Sequence, residues 1–158
     1  MVQLLLISQL LGCGPDARET ASRAYAEEMQ SLWGENQAIG REFMDVAAKL
    51  KKKDIDPHEI AERFDMRVVP RARTLAEKVG AVTTEAKTLQ QVHGGIVRAW
   101  EIRADAYDQM NKAWLKADMQ AFTRALNDNR AVRKAEDRYL DSANKLLEPY
   151  QVALDPNP

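Results

Sequence analysis

The chain has 158 residues, of which 23 are Lys or Arg and 24 are Asp or Glu, for a formal net charge of −1. That length suits one domain, and a balanced charge with no basic half argues against nucleic acid as a partner, which would call for a basic face or stripe. The single cysteine, Cys13, allows no internal disulfide, so the fold stands on packing alone.

The first element is an uncharged apolar run, Leu4-Leu5-Leu6-Ile7-Ser8-Gln9-Leu10-Leu11. It is too short to cross a bilayer, which takes about 20 apolar residues, and has the size of the apolar region of an export signal. It leads into Leu10-Leu11-Gly12-Cys13, a Leu two places before a Gly-Cys pair. This stretch resembles the lipobox of bacterial lipoproteins. The resemblance covers the first 14 residues. It implies cleavage before Cys13, a diacylglyceryl membrane anchor on its thiol, and a place in the cell envelope. Gly14 after the cysteine resembles the outer-membrane sorting pattern of some bacteria. On this reading residues 1–12 form the signal, and residues 13–15 the anchor and a short linker. Residues 4–11 also fit an apolar N-terminal helix with Cys13 as a buried thiol, which would leave the chain in the cytoplasm.

From residue 16 onward the chain reads as helix, with scarce Gly and Pro and no run of period two. The first helix is predicted over 16–51, opened by Asp16 with Glu19 three residues on, a capping-box pattern. Lys51-Lys52-Lys53 suits the negative end of its dipole. The second is predicted over 57–79, opened by Asp56-Pro57-His58-Glu59 and stopped at Gly80. Pro70 removes a backbone donor within it and predicts a kink. The third spans 84–116, capped by Thr83 or Thr84. The fourth spans 118–147, capped by Asp118 and stopped by Pro149, and residues 149–158 are expected to form a flexible tail. Short loops make neighbours antiparallel. The expected fold is therefore all-α, an up-down-up-down four-helix bundle over 16–148.

Alternating steps of four and three residues mark a heptad seam on each helix. The first helix carries Tyr25, Met29, Leu32, Asn36, Ile39, Phe43, Val46 and Leu50, and the second Val68, Ala72, Leu75, Val79 and Val82. The third carries Ala86, Leu89, His93, Ile96, Trp100, Arg103, Tyr107, Met110 and Trp114. The fourth carries Phe122, Ala125, Asn129, Val132, Glu136, Tyr139, Ala143, Leu146 and Tyr150. The second seam runs in register into Ala86 and Leu89, so one long helix bent at Gly80 is the alternative to a turn there. A turn is preferred, because so long a helix would leave its ends without packing partners.

Asn36, His93, Arg103, Asn129 and Glu136 occupy seam positions where buried polar groups need partners. Simple stacking puts Asn36 and His93 at one level facing Pro70, with the freed carbonyl near residue 66 as acceptor for His93. It puts Arg103 near Asn129, with Glu136 about two turns along, within reach of the long Arg side chain only if the register differs slightly. These residues are expected to fix register. The alternative is a polar inter-helix ligand pocket built on Asn36, His93 and Arg103. Trp33, Trp100 and Trp114 read as core, and Gly94-Gly95 as a point of close approach to Val68 or Pro70, or of a bend.

Bundle chemistry that needs a signature has none here. A di-iron site uses Glu-x-x-His, but Gln90 precedes His93 and Ile55 precedes His58 at that spacing. Covalent haem attachment needs two cysteines, and neither a phosphate loop nor a nucleophile elbow is present. His58, Glu59 and Glu62 read as a solvated first turn. No catalytic residue, metal site or cofactor is expected. The expected function is a lipid-anchored envelope bundle with a structural or protein-interaction role, held to the membrane through Cys13. The alternative is a soluble ligand-binding bundle with its pocket near His93 and Asn36.

Overall fold

The computed structural model describes residues 17–52 and 56–156, with only the backbone of residues 51 and 52. Cys13, the apolar run before it, Asp16 and Lys53 lie outside the described residues. Helix α1 (Ala17–Lys52) has 36 residues and is about 54 Å long at 1.5 Å per residue. Helix α2 (Pro57–Arg63), one π turn (Phe64–Val68) and helix α3 (Val69–Ala81) form a single rod. Helices α4 (Lys87–Leu115) and α5 (Met119–Leu147) complete the bundle, followed by a 3-10 turn at Glu148–Tyr150. No strand occurs among the described residues.

Local chemistry explains where the rods start and stop. Asp56 accepts a bond from the His58 N–H at 2.9 Å, with Pro57 in the first helical position. The break expected at Pro70 takes the form of the π turn just ahead of it. Pro70 has no N–H for the preceding turn, and the Val69 N–H reaches back five residues to the Phe64 carbonyl. At Val82 the backbone turns extended, which ends the rod and rules out one continuous helix through Gly80. Thr84 does not cap α4 directly. Its hydroxyl accepts from the Ala86 N–H at 3.3 Å, while its own N–H donates to Gln90 Oε1 at 3.0 Å. The helix therefore begins at Lys87, later than the expected residue 84. Asp118 caps α5 through the Ala121 N–H at 2.9 Å. Just before it, Ala117 adopts a left-handed φ of 53° and α4 closes with bonds from Asp118 N–H to Ala113 and from Ala117 N–H to Trp114.

Contacts between rods establish an antiparallel up-down-up-down bundle. Going up α1, Glu35 meets Lys78, Glu42 meets Arg67 and Lys49 meets Glu59. Along α4, His93 meets Val79, Asp108 meets Arg73 and Asn111 meets Asp65. Against α5, Trp100 meets Glu136 and Trp114 meets Phe122. Helices α1 and α4 run parallel across the diagonal, where Tyr25 meets His93 and Phe43 meets Tyr107. The seams form the core as expected, with Met29, Val46, Val79, Ile96, Met110 and Ala125 fully buried. Near the end of α5 the buried position is Leu147, and Leu146 is only half-buried.

Two expectations are corrected. Gly94 and Gly95 are exposed, and an added Cβ at either would meet nothing within 4 Å, so neither serves close packing against Val68 or Pro70. The flexible tail expected from residue 149 packs back on the bundle through residue 156. After a left-handed turn at Gln151 (φ 55°), Leu154 is buried to 3% exposure and the segment bonds to both α1 and α5.

A seam this well buried predicts a large cost for truncation. Leu32→Ala and Phe43→Ala should each lower unfolding free energy by about 2–5 kcal/mol in denaturant titration. A change within about 0.5 kcal/mol at both sites would mean the α1 seam is not core.

Candidate functional site

The polar seam residues form two buried layers, not one. The first centres on Arg103 of α4. Its Nη2 donates to Glu136 Oε2 at 3.0 Å, its Nη1 donates both to Glu136 Oε1 and to Asn36 Oδ1, the latter at 2.8 Å, and its Nε donates to Asn129 Oδ1 at 3.2 Å. Glu136 Oε1 also accepts from Asn36 Nδ2 at 2.8 Å and from the Trp100 indole N–H at 2.9 Å. The Arg103 and Glu136 side chains are each 11% exposed. This two-pronged pairing of guanidinium with carboxylate is the strong form of a charged hydrogen bond, and here it ties α1, α4 and α5 together at one level. Arg103 meets Asn129 as expected. It also reaches Glu136, expected about two turns away, because its Nε and Nη groups bond to different α5 residues.

The second layer lies about 15 Å along α4, ten residues nearer its start. His93 Nε2 lies 2.9 Å from the Val79 carbonyl oxygen and Nδ1 lies 2.9 Å from the Tyr25 hydroxyl, which lies 2.7 Å from the Tyr139 hydroxyl. A carbonyl only accepts, so Nε2 carries the proton and Nδ1 accepts. The direction of every bond then follows: Tyr139 donates to Tyr25, Tyr25 to His93, and His93 to Val79. One chain of three bonds thus joins α5, α1, α4 and α3. The expected pairing of His93 with the carbonyl near residue 66 is corrected to Val79, because the turn at residues 82–86 sets that residue opposite His93. The expected common level of Asn36 and His93 is corrected as well, since Asn36 belongs to the Arg103 layer. Trp33 links the two layers, packing against Tyr139 at 6.0 Å and Trp100 at 5.5 Å between ring centroids.

Burial sets the protonation of the second layer. It pushes the His93 imidazole below its usual 6.5, opposed by the bond to Val79 and the negative charge of Glu28. It also pushes Tyr25 up to about 12, opposed by the hydrogen bond from Tyr139. Tyr139 is raised too, first by burial and then by Tyr25. The hydroxyls of Tyr25 and Tyr139 were not legible as site groups, since a seam Tyr reads as an aromatic core residue. The available signal was that a buried Tyr hydroxyl usually requires a partner.

The pocket expected from Asn36, His93 and Arg103 is thus divided. Asn36 and Arg103 bond to Glu136 within the bundle. Beside His93 an open surface groove of 470 Å³ is lined by Gly80, Gln90, Gly94, Val97, Arg98 and Glu101 among others, yet both ring nitrogens of His93 are engaged inside. Glu59, in the first turn that it shares with His58 and Glu62, pairs with Arg63 at 3.3 Å and Lys49 at 3.9 Å. Among the described residues no three His, Cys, Asp or Glu side chains are grouped to hold a metal ion, and no helix is long and apolar enough to cross a membrane. Comparison of the chain with protein-family models, with curated proteins and with solved structures finds no match.

Two predictions follow from the layers. Arg103→Met and Glu136→Met should each destabilise by about 3–5 kcal/mol, since each strands a buried charge, and the double variant should lose far less than the two losses together. Additive losses in a double-mutant cycle would show that the pair is not coupled. For His93, the folded pKa lies below the unfolded one, so stability is full above pH 6.5 and falls as pH drops through the folded pKa. The stability advantage of wild type over His93→Gln should therefore shrink between pH 7.5 and 5 in urea unfolding, and a constant difference would refute the assignment.

Proposed function

We propose that this protein is a lipid-tethered helical bundle of the bacterial cell envelope, with a structural or protein-interaction role and no catalysis of its own. The observation that carries the tether is Leu10-Leu11-Gly12-Cys13 behind an uncharged apolar run. Helix α1 starts at Ala17, four residues past Cys13, so a bundle anchored there stands close to its membrane, and its first helix points about 54 Å away from the anchor if upright. The non-catalytic role is supported by how the buried polar groups are used. Arg103, Glu136, Asn36, His93 and Tyr25 bond to one another or to backbone inside the bundle, which is the work of residues that set register.

One observation favours a second reading, a ligand-binding bundle: the groove beside His93. Asn36 and Arg103 take no part in it, which reduces the polar pocket to His93, Gln90 and the charged side chains of α4. Metabolic labelling with a palmitate analogue separates the two readings. Wild type should carry the label and fractionate with membranes, and Cys13→Ala should do neither. An unlabelled wild type in the soluble fraction would overturn the tether.

A further inference from the structure

The segment after the 3-10 turn is bound in the way one protein binds an extended peptide of another. Gln30 of α1 holds Asp155 by its backbone on both sides, with Nε2 donating to the carbonyl and Oε1 accepting from the N–H, each at 2.8 Å. Asn144 of α5 does the same to Leu154, accepting from its N–H at 2.7 Å and donating to its carbonyl at 3.1 Å. Arg23 donates to the Tyr150 carbonyl at 3.1 Å and Gln37 to that of Pro156. Six bonds thus read the main chain and none of these reads a side chain.

The three α1 readers, Arg23, Gln30 and Gln37, are spaced seven residues apart and lie on one stripe of the helix. The span from Arg23 to Gln37 is about 21 Å, and the three readers meet Tyr150, Asp155 and Pro156 in that order, so the segment runs along the stripe in the direction of α1. Specificity comes from one socket. Leu154 is buried, while Gln151, Ala153, Asp155 and Pro156 are exposed. Beside the near half of the segment an open groove of 480 Å³ lies among Asp141, Lys145, Glu148, Gln151, Val152 and neighbouring residues. Two amide clamps, the buried Leu154 with a half-buried Val152 two residues before it, and four exposed side chains are the components of peptide recognition by main-chain bonding with a side-chain pocket.

We infer that the cleft between α1 and α5 is a binding site for an extended peptide with a leucine-type anchor, and that residues 151–156 occupy it in cis as a displaceable stand-in. This rests on reading the bundle as an interaction module and is independent of the tether at Cys13. A cis segment competes at an effective concentration on the order of millimolar, so wild type binds such a peptide weakly and release of the segment opens the site.

The test uses the full chain and a fluorescein-labelled peptide of residues 150–156. The Leu154→Asp protein should bind this peptide saturably and at least tenfold more tightly than wild type does. A peptide carrying the same Leu154→Asp change should not bind. Adding Gln30→Ala to the protein variant should weaken binding about tenfold. A Leu154→Asp protein that keeps its helix content but does not bind the peptide overturns the inference. Should that variant unfold, nitrogen-15 spectra of wild type decide the matter. With millimolar unlabelled peptide, the Leu154 and Asp155 amide signals should move toward free-chain positions while the Gln30 and Asn144 side-chain amides keep theirs. Unchanged spectra would overturn the inference, and neither result bears on the labelling of Cys13.

Discussion

The ion pair of Arg103 with Glu136 is the constraint on which the rest of the bundle depends. Each group is nearly withdrawn from water, and a charge in such a place is tolerable only when paired and hydrogen-bonded. Glu136 Oε1 takes bonds from Arg103, Asn36 and Trp100, so α1, α4 and α5 share a single axial position in which all three can reach it. Sliding α5 by one turn would leave the apolar seams facing each other and this carboxylate without partners, and sliding α1 or α4 would remove the partners that helix supplies. Apolar packing alone tolerates such a slip. The polar layer does not.

The second layer closes the bundle where the first leaves it open. The Arg103 layer omits the α2–α3 rod, and the chain from Tyr139 through Tyr25 and His93 to Val79 brings α3 in. Its bonds have one direction, which holds His93 neutral with the proton on Nε2. A second ring proton would point at the Tyr25 oxygen and force that hydroxyl to turn its hydrogen away from Nδ1, breaking the order of the bonds. Burial and bond direction thus act together on the same group. Trp33, between the layers, makes them one continuous core.

The four helices, their seams and the Asp56 and Asp118 caps were legible in the sequence, because period and cap chemistry are local signals. The pairing of levels was not. A heptad pattern says which face of a helix turns inward and nothing of its axial offset, so Asn36 was matched to His93 when the structure gives it to Arg103 and Glu136. Residues 149–156 were illegible for a different reason. Pro149 and Pro156 read as loop, and the residues that fasten the segment, Gln30, Gln37, Arg23 and Asn144, look like any solvated helix face. Main-chain recognition leaves little trace in sequence, since the groups being read are the same at every residue. The candidate peptide cleft emerged only from three-dimensional contacts, whereas the tether at Cys13 is a proposal from sequence alone.

The Arg103–Glu136 layer is closed and locks the register of three helices. Hydrogen exchange of the Trp100 indole N–H tests it most directly, because that proton bonds to Glu136 inside the layer. Exchange is expected only through global unfolding, at a rate that rises with denaturant as steeply as unfolding itself. Exchange that is fast and insensitive to denaturant would show that the layer opens within the folded state and does not lock the register.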